Sequence, residues 1–101
     1  MIGEESDLMI IENTSSARIS IYPNPTSGMT FFKLDNLADK EVEVKLVNIL
    51  GAEIMHLFSG EIVSNYHSIN DIDLSHLETG IYFVRAVVDG SVIVTDKLIV
   101  K

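Results

Sequence analysis

Residues Gly80–Val94, GIYFVRAVVDGSVIV, carry the strongest fold signal in the sequence. Ile81–Val88 is a run of β-branched and aromatic residues, long enough for one strand. Asp89-Gly90 follows it, and Ser91–Val94 begins a second run of the same kind. Asp-Gly between two such runs is typical of a tight hairpin turn, because both residues tolerate positive φ. The stretch therefore predicts two antiparallel strands joined by a two-residue turn.

Strand patterns extend over most of the chain. Val42, Val44 and Leu46 alternate with charged residues, as in a strand with one buried face. No helical period persists over ten residues, and the best helical candidate, Leu74–Thr79, amounts to one turn. The sequence predicts seven strands, at about 17–23, 29–34, 41–49, 53–58, 66–73, 81–89 and 91–100. Their spacing of about ten residues indicates an all-β, immunoglobulin-like β-sandwich of mainly antiparallel strands with Greek-key elements.

The length and composition fit one small domain preceded by a linker. The 101 residues are 47% hydrophobic, which is enough for a single core. Residues 1–16 are rich in polar residues typical of a linker or leader, and 8–12 form either an edge strand or a mobile part of it. We expect the folded domain to span 17–101. The N-terminus lacks the basic region and long apolar run of a signal peptide.

Composition and spacing argue against most chemistry. A net charge of −8 disfavours nucleic acid as a partner, and the lack of cysteine excludes thiolate sites. His56, His67 and His76 have no compact metal-ligand spacing. Asp71–Ser75 resembles the start of an EF-hand, but His76 occupies the required glycine position, which leaves only some other geometry for calcium. We therefore predict no enzyme activity, no cofactor and no metal site.

Two local devices stand out beside the strands. Pro23 and Pro25 cannot donate to a strand ladder, so they should end the first strand in a stiff corner. Leu77, Gly80 and Tyr82 have the spacing of a tyrosine corner, in which the phenol bonds to main chain a few residues upstream. We expect the Tyr82 hydroxyl to reach the backbone near Leu77 or Glu78.

Four motifs in order resemble one known family. They are IYPNPTSG at 21–28, VKLVNILGAEI at 44–54, DLSHLETGIYFV at 73–84 and KLIVK at 97–101. This series closely resembles the C-terminal sorting domains of the type IX secretion system, over residues 17 to 101. Asn48 and Ala52 depart from the acidic and basic residues that are frequent in that family. The resemblance assigns sorting or recognition to Tyr22, Pro23, Asn24, Pro25, Gly28, Leu50, Gly51, Leu77, Gly80, Tyr82, Lys97, Leu98, Ile99, Val100 and Lys101.

The resemblance implies a non-catalytic secretion signal joined to a passenger protein upstream. The passenger would cross the periplasm, be exported by the outer-membrane translocon, and be attached at the cell surface or released. A sortase-like surface protease would cut in the leader before Ala17. The alternative is an immunoglobulin-like accessory binding module of a larger secreted hydrolase, which should expose an aromatic patch. Unguarded edge strands would also favour a homodimer.

The C-terminal KLIVK segment admits two interpretations. Lys97 and Lys101 place two ammonium groups at the end of an acidic domain, where a receptor could read them, partly by main-chain pairing to an edge strand. Alternatively, Leu98–Val100 completes the sandwich. Both can hold together.

Overall fold

The domain is built from seven strands, and the computed structural model describes residues 17–101 apart from the side chain of Val92. The strands are β1 (Arg18–Tyr22), β2 (Met29–Asp35), β3 (Lys40–Val47), β4 (Glu53–Ile62), β5 (Tyr66–Asp73), β6 (Gly80–Val88) and β7 (Val92–Val100). The predicted leader at 1–16, with its edge strand at 8–12, lies outside the described residues.

The strands form two antiparallel sheets that face each other. One sheet has the order β1-β2-β5 and the other β4-β3-β6-β7. Lettered A, B, C, C′, E, F and G along the chain, the strands form sheets A-B-E and C′-C-F-G, an immunoglobulin-like arrangement. The chain changes sheet after β2, β4 and β5, as Greek-key connections require. The predicted all-β sandwich is confirmed.

Local sequence explains the strands on which the prediction depended. The alternation in β3 buries Val42, Val44 and Leu46 almost completely in the core. Asp89 and Gly90 take φ values of 51° and 79°, as a tight turn with two left-handed residues requires. The Ser91 amide closes this turn on the carbonyl of Val88 at 3.1 Å. The predicted hairpin is therefore present.

Two predicted strand ends were wrong. β3 ends at Val47 instead of residue 49, because Asn48 starts a turn closed by its own side chain. β4 continues past residue 58 to Ile62, since its pairing with β3 extends to Lys40. Gly60 lies inside this extension. Because glycine has a poor strand propensity, the sequence pattern did not predict that the strand continues through it.

The core lies between the sheets and draws on both. Phe32 and Leu34 from β2 and Val84 and Leu98 from the opposite sheet have no exposed surface. Leu74, just after β5, is equally buried and packs in the same cluster. Burial of this kind contributes about 1.5–3 kcal/mol for each large apolar side chain. Within residues 17–101 there is no helix of the length and apolarity that a membrane span needs.

Candidate recognition site

The four motifs, widely separated in sequence, lie at one end of the sandwich. β1 and β3 end there, and β6 begins there beside the end of β7, where Gly80 pairs with Val100. Thr26, in the loop after β1, forms a parallel bridge to Val100. We call this end of the sandwich the motif end; it comprises the loops at 23–28, 48–52 and 74–79 and the end of β7. The N-terminal end of β1 lies at the opposite end, because Arg18 pairs with Asp35 at the far end of β2.

The PNPT segment clamps the last strand. The Asn24 side-chain amide donates to the carbonyl of Lys97 at 2.8 Å, and its oxygen accepts from the Ile99 amide at 3.0 Å. Thr26 continues the pairing, since its amide donates to the Ile99 carbonyl at 2.9 Å and its carbonyl accepts from Lys101 at 2.8 Å. The Asn24 side chain and the Thr26 main chain therefore supply hydrogen-bond partners for the outward-pointing backbone groups of β7 from Lys97 to Lys101.

A small buried hydroxyl network holds this corner to β2. Thr26 and Thr30 are almost fully buried, and their hydroxyl oxygens are 2.8 Å apart. The Thr30 hydroxyl donates to the carbonyl of Gly28, so the Thr26 hydroxyl must donate to Thr30. Thr26 also accepts from the Gly28 amide at 3.2 Å. Buried hydroxyls with partners avoid the cost of lost hydration, so this network stabilises the corner.

The prolines end β1 as predicted, and they remain on the surface. Tyr22-Pro23 and Asn24-Pro25 are both cis peptide bonds. Tyr22, Pro23, Asn24 and Pro25 are exposed, and Gly28 is half-buried. The corner therefore presents a proline surface to solvent while Asn24 and Thr26 hold the last strand.

The C-terminal strand divides its side chains between the core and the surface. Leu98 and Val100 are buried, which confirms that this segment completes the sandwich. Lys97 and Lys101 are exposed and Ile99 is half-buried. Because Asn24 and Thr26 already occupy the main-chain edge of residues 97–101, a receptor that meets this folded form must read side chains there.

The tyrosine corner forms as predicted at the start of β6. The Tyr82 hydroxyl donates to the carbonyl of Glu78 at 2.7 Å. Leu77 packs against the core, and its amide donates to the carbonyl of Leu74 at 3.1 Å. The Ser75 amide bonds to the Asp73 carboxylate at 2.9 Å, and this bond lowers the pKa of Asp73. The loop into β6 is thus held by several short-range bonds.

The Leu-Gly turn between β3 and β4 presents two apolar side chains to solvent. The Asn48 side-chain oxygen accepts from the amides of Leu50 at 2.9 Å and Ala52 at 3.0 Å. Gly51 takes a φ of 87°, which favours glycine. Ile49 and Leu50 are 69% and 88% exposed, although both are large and apolar. The turn is ordered by main-chain and amide bonds, so burial of these side chains is not what holds it.

An open cavity of about 680 Å³ lies between the Leu-Gly turn and the tyrosine corner. Its walls include Ile49, Ile54, Leu77, Glu78, Ile81 and Tyr82. This volume falls within the usual range for sites that accept a small ligand or a partner's side chain. Its titratable lining groups are Glu78, His76 and Tyr82. Among residues 17–101, no three His, Cys, Asp or Glu side chains are placed to hold a metal ion.

The structure thus sorts the predicted residues into two neighbouring groups. Asn24 contacts the KLIVK strand, whereas Leu77, Gly80 and Tyr82 border the cavity next to the Leu-Gly turn. Sequence reasoning missed the buried pair Thr26 and Thr30 and the cavity-lining residues Ile49, Ile54 and Ile81. The signal for the cavity in the sequence was Ile49, a large apolar residue placed in a turn.

Similarity to known proteins extends over almost the whole chain. The family described as "Secretion system C-terminal sorting domain" matches residues 20–101. An ulvan lyase of Nonlabens ulvanivorans is 26% identical over 97 residues, which cover 96% of this chain but only 17% of the lyase. No solved structure is significantly similar. With the family's match extending over nearly all of the sandwich and its motifs gathered at one end, this chain belongs to the C-terminal sorting domains of the type IX secretion system, and it is a sorting signal with no catalytic role.

Proposed function

We propose that the folded domain is read by the type IX translocon as a three-dimensional signal at its motif end. The observation that carries this proposal is the convergence of four motifs, separated by up to about eighty residues of sequence, on one end of the sandwich. A linear tail signal would not need Asn24 to contact Lys97 and Ile99. The recognised unit is therefore the motif end as a whole.

The position of the first strand suits such a signal. β1 begins at Arg18, at the end of the sandwich opposite the motif end. A passenger joined before Ala17 would sit at that far end and leave the motif end accessible. The sortase-like protease would cut in the same leader, so cleavage would separate the passenger without disturbing the sandwich.

The fate of the passenger follows from this arrangement. After passage through the periplasm, the translocon would bind the motif end and move the passenger to the outside. Cleavage before Ala17 would then allow attachment to the cell surface or release. None of these steps requires a catalytic residue of this domain.

One observation favours the accessory-module alternative as a second candidate. Tyr22 and Phe31 pair across β1 and β2 and are 53% and 42% exposed, with Met29 half exposed nearby. Such an aromatic patch could contact a carbohydrate or a protein. Binding of glycans to the purified domain, lost in Tyr22→Ala, together with normal export of that variant, would assign the patch to this second role.

The proposal is tested with a reporter that carries a Sec signal and residues 13–101, in a bacterium with a working type IX system. Leu50→Asp alters an 88% exposed side chain at the motif end, and Val63→Asp alters an 84% exposed one at the opposite end. Both changes should leave the melting temperature of the domain nearly unchanged, because neither side chain is buried. We expect Leu50→Asp to hold the reporter in the periplasm and Val63→Asp to be exported.

The controls separate two kinds of failure. If the unmodified fusion stays in the periplasm while folded, the domain does not act as a type IX signal. If the unmodified fusion and Leu50→Asp are exported equally, the signal works but the Leu-Gly turn is not part of what is read.

A further inference from the structure

The outward side of β6 and β7 is apolar where a solvated sheet would be polar. The side chains of Tyr82, Val84, Ala86 and Val88 point toward the core, so the alternate residues face outward. We call these outward residues the β6–β7 outer face. They are Ile81, Phe83, Arg85, Val87, Ile93, Thr95, Lys97 and Ile99.

Five of these eight side chains are apolar, although this side of the sheet has no covering layer within residues 17–101. Ile81 and Ile93 are 45% and 56% exposed. A one-sided antiparallel sheet normally alternates apolar and polar residues, and strands that are apolar on both faces are usually covered on both. This surface therefore has the composition of one that a partner covers.

The remaining charges on the same face have one sign. Arg85 and Lys97 lie on a diagonal, since Arg85 pairs with Thr95 and Lys97 with Phe83. Neither makes an ion pair with a residue that the structure describes, and no carboxylate occupies any of the eight positions. Lys45, next to Arg85 on β3, is instead paired with Glu43 and Glu53. In a chain of net charge −8, this is a local cationic and apolar patch.

We infer that the β6–β7 outer face docks an acidic, aliphatic segment of a protein of the export apparatus, an inference that rests on the proposed function. Aliphatic side chains of the segment would cover Phe83 and its apolar neighbours. Asp or Glu side chains would meet Lys97 and the guanidinium of Arg85, which suits bidentate bonding to a carboxylate. Because the clamp occupies the edge of β7 from Lys97 onward, docking is face-on and does not extend the sheet.

Other occupants fit the charges less well. A second copy placed symmetrically on this face would bring Arg85 and Lys97 close to their own counterparts, between two domains of net charge −8. An anionic membrane would meet the same overall negative charge at longer range. A protein segment with carboxylates at two positions satisfies the patch without either repulsion.

The test reverses the charges of Arg85 and Lys97 and compares the result with the same reversal at two residues outside the face. Arg85→Glu with Lys97→Glu alters the face, and Arg18→Glu with Lys40→Glu makes the same chemical change at exposed residues outside it. Each double variant is measured in the reporter fusion for export. As the purified chain, each is measured for affinity to detergent-solubilised type IX translocon and for its melting temperature.

We expect the face variant to bind the translocon at least about tenfold more weakly and to lose export, because like charges across an interface are strongly unfavourable. The control variant should bind and export like the unmodified chain. If the face variant melts early, Arg85→Gln with Lys97→Gln replaces it, with the same direction expected. Added salt should weaken binding of the unmodified chain more than that of this neutral variant.

Three results would overturn the inference while the sorting function stands. The first is equal export and affinity for the face and control variants. The second is a dimer of the unmodified chain in sedimentation that the face variant abolishes, which would identify a second copy as the occupant. The third is binding to vesicles of anionic lipid that depends on the same two cations. Failure of the unmodified fusion to be exported would instead reject the proposed function.

Discussion

Asn24→Ala removes the side chain that joins the proline corner to the last strand. Asn24 makes two hydrogen bonds, to the carbonyl of Lys97 and from the amide of Ile99, across 73 and 75 residues of sequence. Each bond contributes about 0.5–1.5 kcal/mol net. Asn24 is exposed, so water can reach both main-chain groups after truncation, and we expect a loss near the lower half of the sum, about 1–2 kcal/mol.

The expected loss is large enough to measure in a domain of this size. One kcal/mol corresponds to about 4–8 °C, so the Tm should fall by roughly 5–15 °C in a calorimetric or circular-dichroism melt. Hydrogen exchange provides the local readout, because the Ile99 amide loses its acceptor and should exchange faster. The amide of Leu98, in the adjoining ladder position, should change less.

Two further variants make the result specific. Asn70→Ala removes an exposed asparagine on β5 for which the structure records no side-chain hydrogen bond, and it should leave the Tm nearly unchanged. Asn24→Asp keeps the acceptor for Ile99 but turns a carboxylate oxygen toward the carbonyl of Lys97, so it should destabilise at least as much as alanine. Equal Tm values for Asn24→Ala and Asn70→Ala, with unchanged exchange at Ile99, would refute the clamp.

Two other predictions concern the loops at the motif end. Tyr82→Phe deletes the bond to the Glu78 carbonyl and should lower the free energy of unfolding by about 1 kcal/mol, measured by urea denaturation; an unchanged midpoint would mean that the tyrosine corner does not stabilise this domain. Gly51→Ala forces a Cβ onto a φ of 87° and should cost about 1–2 kcal/mol. Gly28→Ala, where the added Cβ meets no atom within 4 Å and φ is not positive, should be neutral or slightly stabilising, and similar losses at both positions would contradict the argument from φ.

The positions of the strands could be predicted from the sequence because they depend mainly on residues that are close together in the chain. The alternation around Val44 and the Asp89-Gly90 turn depend on neighbours within a few residues, and both appear in the structure. The end of β4 was misplaced because its last residues are held by pairing with Lys40 on another strand. A glycine with poor strand propensity can occupy a strand when the neighbouring strand supplies its hydrogen bonds.

The recognition residues were named from their motifs, but their relationships were not. The order of the motifs indicated that Asn24, Leu50, Tyr82 and Lys97 take part in recognition. It gave no reason to expect these residues at the same end of the fold. The run at Ile81–Val88, which is interrupted only by the charge of Arg85, did carry a signal, because such a strand has almost no polar face for solvent. Recognising a continuous surface also required the outward residues of β7, which only the register supplies.

Sequence alone determined the all-β class, the strand order along the chain, the tyrosine corner and the family resemblance, since each depends on residue type at short spacing. Only the tertiary structure decided that the proline corner holds the C-terminal strand. It also decided that the Leu-Gly turn and the tyrosine corner border one open cavity, and that Arg85 and Lys97 share one apolar face. Those contacts join residues tens of positions apart, and they form because burying Leu98 and Val100 in the common core fixes where the last strand lies.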